Sequence, residues 1–168
     1  MTSKLPDLVK NITQVGIVVR DLDARLEHYT KLGVGPWRVY TYGAPRLTDT
    51  KLRGVATPFS MKLALAWTKE MNWELIQPLS EPSIYWEFLR DHGEGIHHIN
   101  VDCGNRPIEE IIEAFTDRGW APLMEGNFLG TRFVYFGTEE DLTTIVEIRH
   151  APRNWQRPEP DYWYPSAP

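Results

Sequence analysis

The hydrophobic rhythm of the chain changes several times, and it does so twice in the same order. Residues 12–19 (Ile12-Thr13-Gln14-Val15-Gly16-Ile17-Val18-Val19) alternate and are rich in β-branched side chains, which predicts a strand. Asp21 follows at a helix N-cap position, with Leu22, Leu26, Tyr29 and Leu32 at helical spacing until Gly33 and Gly35-Pro36 stop the run. Strands are predicted over 37–42, 59–68 and 71–77, with a Gly- and Pro-bearing loop or ragged hairpin at 43–58. The order then returns: a strand over 97–103, a helix over 107–118 closed by Gly119, and strands near 120–125, 130–137 and 143–149. Such an internal repeat dictates the fold class. The pattern predicts an α+β protein of two tandem βαβββ modules, 11–78 and 96–150. A helix and loop at 79–95 join them, with Ile84, Tyr85, Phe88 and Leu89 on one side of the helix. From residue 150 on, five of the thirteen prolines argue against regular structure. The tail 151–168 also holds Trp155, Tyr162, Trp163 and Tyr164, so it is expected to pack along the body or against a partner subunit.

The repeat puts polar side chains at matched places. Residues two apart in a strand share a face. Gln14 then stands with Gly16 and Val18, His98 with Asn100 and Asp102, Glu74 with Asn72 and Ile76, and Glu147 with Ile145 and Arg149. The alternate positions Val15, Ile17, Ile99, Val101, Val146 and Ile148 suit a helix-covered core. A buried polar group left unpaired costs about 1–3 kcal/mol. If the halves pack as a pseudo-symmetric pair, Gln14, Glu74, His98 and Glu147 converge on one ion that satisfies all four. His97 falls on the opposite face and is assigned to support or packing. His28 and His92 read as surface residues, and His150 as a weak candidate for a cleft rim.

Composition narrows the classes. With 168 residues, 42% of them apolar, one domain or two fused halves can bury a core. The net charge of −5 without a basic stripe speaks against nucleic acid. No apolar run reaches the roughly 18 residues of a membrane span, and Met1 to Asp7 lack the core of a secretory signal. The single cysteine, Cys103, reads as a strand-end residue and fits a cytoplasmic location.

Four segments carry a resemblance to a known family. They are Gln14-Val15-Gly16-Ile17-Val18-Val19-Arg20-Asp21-Leu22, Trp73-Glu74-Leu75-Ile76-Gln77-Pro78-Leu79, Gly93-Glu94-Gly95-Ile96-His97-His98-Ile99 and Val146-Glu147-Ile148. Together they resemble the vicinal oxygen chelate superfamily, which includes glyoxalase I, methylmalonyl-CoA epimerase, extradiol dioxygenases and the bleomycin and fosfomycin resistance proteins. The likeness spans about residues 11–150 and is nearest to the epimerase-like and glyoxalase-like branch. It implies paired modules around an open, mixed-sheet, barrel-like cleft that holds a divalent metal, and a homodimer. By position it implies the ligand set Gln14, Glu74, His98 and Glu147. Gln14 stands where epimerases often carry His, and the resulting set resembles that of glyoxalases.

One imidazole with three oxygen ligands admits Zn²⁺, Mn²⁺, Co²⁺, Ni²⁺ or Mg²⁺. Such an ion polarises a carbonyl and stabilises the enolate left when a neighbouring C–H is lost. The expected activity is a metal-dependent isomerase, epimerase or lyase acting on a small carbonyl or thioester substrate. A carboxylate near the ion is the candidate proton carrier, Glu147 or Glu74, and the resemblance favours Glu147. Asn100, Arg149 and Phe59 are candidate substrate contacts, and Arg46, Lys51 and Arg53 sit on a loop that could meet an anion. The alternative is a metal-free binding or resistance protein using the same cleft. An extradiol dioxygenase fits less well, since its iron site resembles two His and one carboxylate. A fosfomycin-type thiol transferase is likewise disfavoured by Gln14.

Overall fold

The computed structural model describes residues 8–69 and 71–168; residues 1–7, where no secretory-signal core was found, lie outside the described residues. The first half contains strand β1 (Asn11–Val18), helix α1 (Leu22–Lys31) and strands β2 (Trp37–Tyr42), β3 (Leu47–Leu52), β4 (Val55–Ala56), β5 (Met61–Thr68) and β6 (Met71–Pro78). Helix α2 (Ile84–Asp91) connects it to β7 (Gly95–Asp102), α3 (Ile108–Thr116), β8 (Pro122–Phe128), β9 (Thr131–Phe136), the short α4 (Glu139–Leu142) and β10 (Ile145–His150). A last strand, β11 (Tyr162–Tyr164), lies in the tail.

The helices start where the sequence caps them. The Asp21 carboxylate accepts from Ala24 N at 3.1 Å and the Ser83 hydroxyl accepts from Trp86 N at 3.2 Å, each satisfying a donor that the first helical turn leaves free. Leu22 and Leu26 of α1 are fully buried against Ile17, Trp37, Val39 and Leu75. Each such leucine contributes about 1.5–3 kcal/mol of burial. Helix α3 covers Val101, Val146 and Ile148 in the same way. The alternate strand positions therefore form the two helix-covered cores expected of them.

All eleven described strands form one mixed sheet in the order β11-β2-β5-β6-β1-β7-β10-β9-β8-β3-β4. Its centre is a near-symmetric pair. β1 lies antiparallel to β7, and each runs parallel to the last strand of its own half, β1 to β6 and β7 to β10. The sheet stays open rather than hydrogen-bonding into a barrel. Its flanks nevertheless meet, because residues 43–46 connect β2 near one end to β3 near the other, and the Tyr42 ring stacks on Phe128 at 3.4 Å.

Three elements differ from expectation, the first being the short helix α4, which stands between two predicted strands where no helix was expected. Segment 43–58 is a hairpin, but its first strand leaves its own half and pairs with β8 of the other. The free edge of β8 offers backbone partners that a pattern within the segment cannot reveal. The tail was expected to lack regular structure, yet Tyr162–Tyr164 pairs antiparallel with β2. Its prolines flank these three residues, so the ladder loses no donor. The tail packs along the body, which is one of the two expected outcomes.

Candidate metal centre and cavity

The central strands bring the matched polar residues together. In the β1–β7 ladder Gly16 faces His98 and Gln14 faces Asn100. Glu74 lies beside Gly16 across β6, and Glu147 beside Asn100 across β10. Gln14 Nε2 donates to Glu74 Oε2 at 2.7 Å. His98 Nε2 lies 3.2 Å from Glu74 Oε2 and 3.6 Å from Glu147 Oε2. Asn100 Nδ2 donates to Glu147 Oε2 at 2.9 Å, and Thr13 Oγ1 donates to Asn100 Oδ1 at 2.9 Å. All five strand residues from Gln14 to Glu147 in this network are buried.

The residues fit a divalent cation. Ligand atoms of Glu74, His98 and Glu147 lie within 4.8 Å of one another. Gln14 Oε1 is buried without a hydrogen-bond partner, and so is His98 Nε2 when it carries no proton, since the Glu74 oxygen 3.2 Å away can only accept. Leaving them so costs about 1–3 kcal/mol each, and a shared cation removes that cost. Two carboxylates match a charge of 2+, and the single imidazole with oxygen donors suits the metals named above.

Two neighbours fix the imidazole. Gly16 has no side chain because His98 occupies the space: a Cβ there would fall within 2.5 Å of ring atoms Cε1, Nε2 and Nδ1. His97 lies at a break in the β1–β7 register, where β7 holds one extra residue. Bulges re-aim side chains. Here the bulge brings His97 Nδ1 to 3.0 Å from His98 Nδ1. With the His98 proton on Nδ1 and donated to His97, Nε2 keeps its lone pair for a cation. Burial holds His97 well below the usual imidazole range, so the ring is neutral. His97 also packs on Tyr85 and Phe88 at ring distances of 5.4 and 5.0 Å.

A cavity of about 210 Å³ opens above the cluster, with Glu74 and Glu147 in its lining. Burial raises the Glu147 carboxyl above its ordinary range, against the opposing pull of Arg149. Tyr85 donates its hydroxyl to Tyr135 at 2.8 Å, and burial pushes both phenols up, so they stay protonated. Arg149 lines the cavity as the strand alternation predicted; burial works against its charge, but Glu147 and Glu74 carry its pKa above the usual value. Asn100 stands behind Glu147 and does not line this cavity. Phe59 lies in the core, its ring 6.5 Å from Phe133, and does not line it either. The loop cations are already paired: Arg46 with Asp161, Lys51 with Glu125 and Arg53 with Glu87. His28, His92 and His150 are exposed, and Cys103 is buried just past β7.

Strand periodicity did not disclose Gly16, the His97 contact or the tail residues Trp155 and Arg157 that also line the cavity. Gly16 had a signal, since glycine inside a strand often marks a close approach. The others depend on a bulge and on long-range docking, which periodicity does not encode.

The pairing of two βαβββ halves around a buried carboxylate–imidazole cluster defines a class. The family model for the glyoxalase/bleomycin resistance protein/dioxygenase superfamily matches residues 13–136, and the chain belongs to that superfamily. Among solved structures, methylmalonyl-CoA epimerase from Mycobacterium tuberculosis is similar, with a TM-score of 0.62 and 18% identity over 88% of this chain and 91% of that one. A hypothetical protein from Bacillus halodurans matches with a TM-score of 0.62 and 22% identity, over 88% of this chain and 98% of its own. A Streptomyces coelicolor methylmalonyl-CoA epimerase variant in complex with 2-nitronate-propionyl-CoA matches with a TM-score of 0.59 and 21% identity, over 85% and 98%. No curated protein matches the chain in sequence.

Proposed function

We propose that the chain is a metal-dependent enzyme that moves a proton on the carbon next to a carbonyl, as an epimerase or isomerase does. One observation carries this: a buried Gln14–Glu74–His98–Glu147 cluster with two lone pairs lacking partners, set beneath a cavity into which both carboxylates open. Gln14 Oε1, His98 Nε2 and one oxygen each of Glu74 and Glu147 would hold the cation. When bound, the ion supplies Lewis-acid polarisation of the substrate carbonyl.

The chain's own residues then handle the proton. In both glutamates it is Oε2 that turns toward His98, so Oε1 stays available to accept or return a proton. The two carboxylates come from β6 and β10, one from each half, so they approach the cavity from different strands. Epimerisation needs removal on one face and return on the other, and two acid/base groups serve that need. Each carboxylate is oriented from behind through Oε2, Glu147 by Asn100 and Glu74 by Gln14, and the family likeness makes Glu147 the preferred first base. The fold likeness to methylmalonyl-CoA epimerases, one with a propionyl-CoA nitronate bound, supports a carbonyl or thioester substrate.

The test is metal binding followed by hydrogen exchange. Purified protein should take up one divalent ion per chain. Loaded protein should wash deuterium from D2O into the carbon beside the carbonyl of at least one compound in a panel of 2-oxo acids, hydroxyketones and acyl-thioesters. Glu147→Gln and Glu74→Gln should each lower that exchange by about 100-fold or more. Uptake of no ion, or exchange untouched by both substitutions, would refute the proposal. A cytoplasmic homodimer belongs to the same proposal, and light scattering at micromolar concentration should return twice the chain mass of 19.5 kDa.

A further inference from the structure

The tail supplies something to the cavity that the duplicated halves do not. Trp155 Nε1 donates to Leu129 O at 2.8 Å, and the Pro158 carbonyl accepts from the Tyr40 hydroxyl at 3.0 Å. Further along, Asp161 accepts from Thr41 N at 2.6 Å and from Arg46 at 2.7 Å. Between these anchors runs Arg157, its guanidinium 5.0 Å from the ring centre of Trp67 and 5.3 Å from that of Trp155. Arg157 and Arg149 both line the cavity.

These two cations differ from others in the molecule. Arg25, Arg46, Arg53 and Arg132 each hold a carboxylate. Among the described residues, neither the Arg149 nor the Arg157 side chain makes a hydrogen bond or ion pair, and the only close partners of the Arg157 guanidinium are aromatic faces. The charge balance sharpens the point. Glu74 and Glu147 act on Arg149 through space without pairing with it, and among the described residues no carboxylate pairs with Arg157. Burial above all, with the Arg149 charge beside it, holds Arg157 below its usual range. Two guanidiniums that line one partly dry cavity without a carboxylate partner suit an anion in that cavity.

We propose that Arg149 and Arg157 grip a carboxylate of the substrate, so that the site takes a compact carbonyl acid with an apolar body. This rests on the proposed reaction only for the carbonyl; the anion site stands on the cations alone. The walls contributed by Tyr40, Tyr42, Phe128 and Phe133 suit the apolar body. At about 210 Å³ the cavity is smaller than the roughly 300–1,000 Å³ of pockets for drug-sized ligands, so the enclosed part of the substrate is small. Arg157 reads the charge and the tail delivers it.

Calorimetric titration with phenylacetate and its neutral isostere phenylacetamide tests this, on the full chain both as purified and loaded with Zn²⁺. Wild-type protein should bind phenylacetate at least 10-fold more tightly than the amide. Arg157→Gln should erase that preference while leaving amide binding within 2-fold, and Arg157→Lys should retain part of it. Equal affinity for acid and amide in both forms of the wild type overturns the proposal. So does a preference that survives Arg157→Gln, because the ion alone would then hold the carboxylate. An equal loss of both ligands in Arg157→Gln also overturns it, by reducing Arg157 to a shaping role. Binding is read without turnover, so these outcomes are independent of the deuterium exchange that tests the reaction.

Discussion

Substituting Gly16 by Ala should abolish metal binding while leaving the protein folded. The added Cβ would fall within 2.5 Å of three His98 ring atoms. Comfortable contact needs about 3.5–4.0 Å, so the ring must retreat by about 1 Å or more. Metal–ligand distances tolerate only about ±0.2 Å, so a ring displaced this far leaves the cluster. Perturbing residues that merely orient a ligand costs about 10–100-fold in affinity, so moving the ligand itself should cost at least 100-fold. Overpacking adds about 1–3 kcal/mol of destabilisation, or a melting-temperature drop of about 2–4 °C per kcal/mol for a chain of this size. The assay is equilibrium dialysis with Zn²⁺ and Mn²⁺, paired with thermal melts with and without metal. Gly126→Ala provides the control, since its Cβ would lie 2.7 Å from the Phe133 ring and its nearest atoms belong to Phe133 and Leu47, not to the cluster. It should lower stability yet keep metal affinity. Wild-type metal affinity in Gly16→Ala would refute the geometry, because the imidazole would then not depend on the space that glycine leaves.

Three further outcomes follow from the same coordinates. His97→Phe keeps a ring against Tyr85 and Phe88 but removes the Nδ1 partner of His98; metal affinity should fall about 10–100-fold with the fold intact, by dialysis and circular dichroism. Leu26→Ala at the fully buried α1 face should cost about 2–5 kcal/mol in urea unfolding, and a loss below 1 kcal/mol would contradict the packing. Burial opposes ionisation of Asp161, but its bonds from Arg46 and Thr41 N outweigh this and depress its pKa. A depressed carboxylate contributes fully above its unfolded pKa of about 3.9 and loses that contribution as pH falls through the folded value. Limited proteolysis of the tail should therefore accelerate below about pH 4 in the wild type, whereas Asp161→Asn should be cleaved quickly at pH 6 already.

Much of the molecule was legible because it follows short-range rules. Alternation in 12–19 and 97–103 marked β1 and β7, and Asp21 with Leu22, Leu26 and Tyr29 marked α1. Repetition of that order aligned Gln14 with His98 and Glu74 with Glu147, and the antiparallel β1–β7 pair with its two parallel flanks brings those four into one cluster. Arg149 faces the cavity by the same period of two. Asn100 and Phe59 show where that period runs out. Asn100 shares the face of His98 but spends its amide on Glu147, and Phe59 precedes β5 and turns into the core.

Local pattern, then, was sufficient for the main strands and helices, their duplication and the residue types of the cluster, since hydrophobic period and residue type act over a few residues. Folding in three dimensions settled the rest. Only the register of β1 against β7 shows that Gly16 makes room for His98 and that a bulge turns His97 toward it. Only the docking of the tail on β2 carries Arg157 to the cavity, 157 − 74 = 83 residues along the chain from Glu74. Contacts across such separations arise from which sheet edges are free and which surfaces meet, quantities that no stretch of the chain holds within itself.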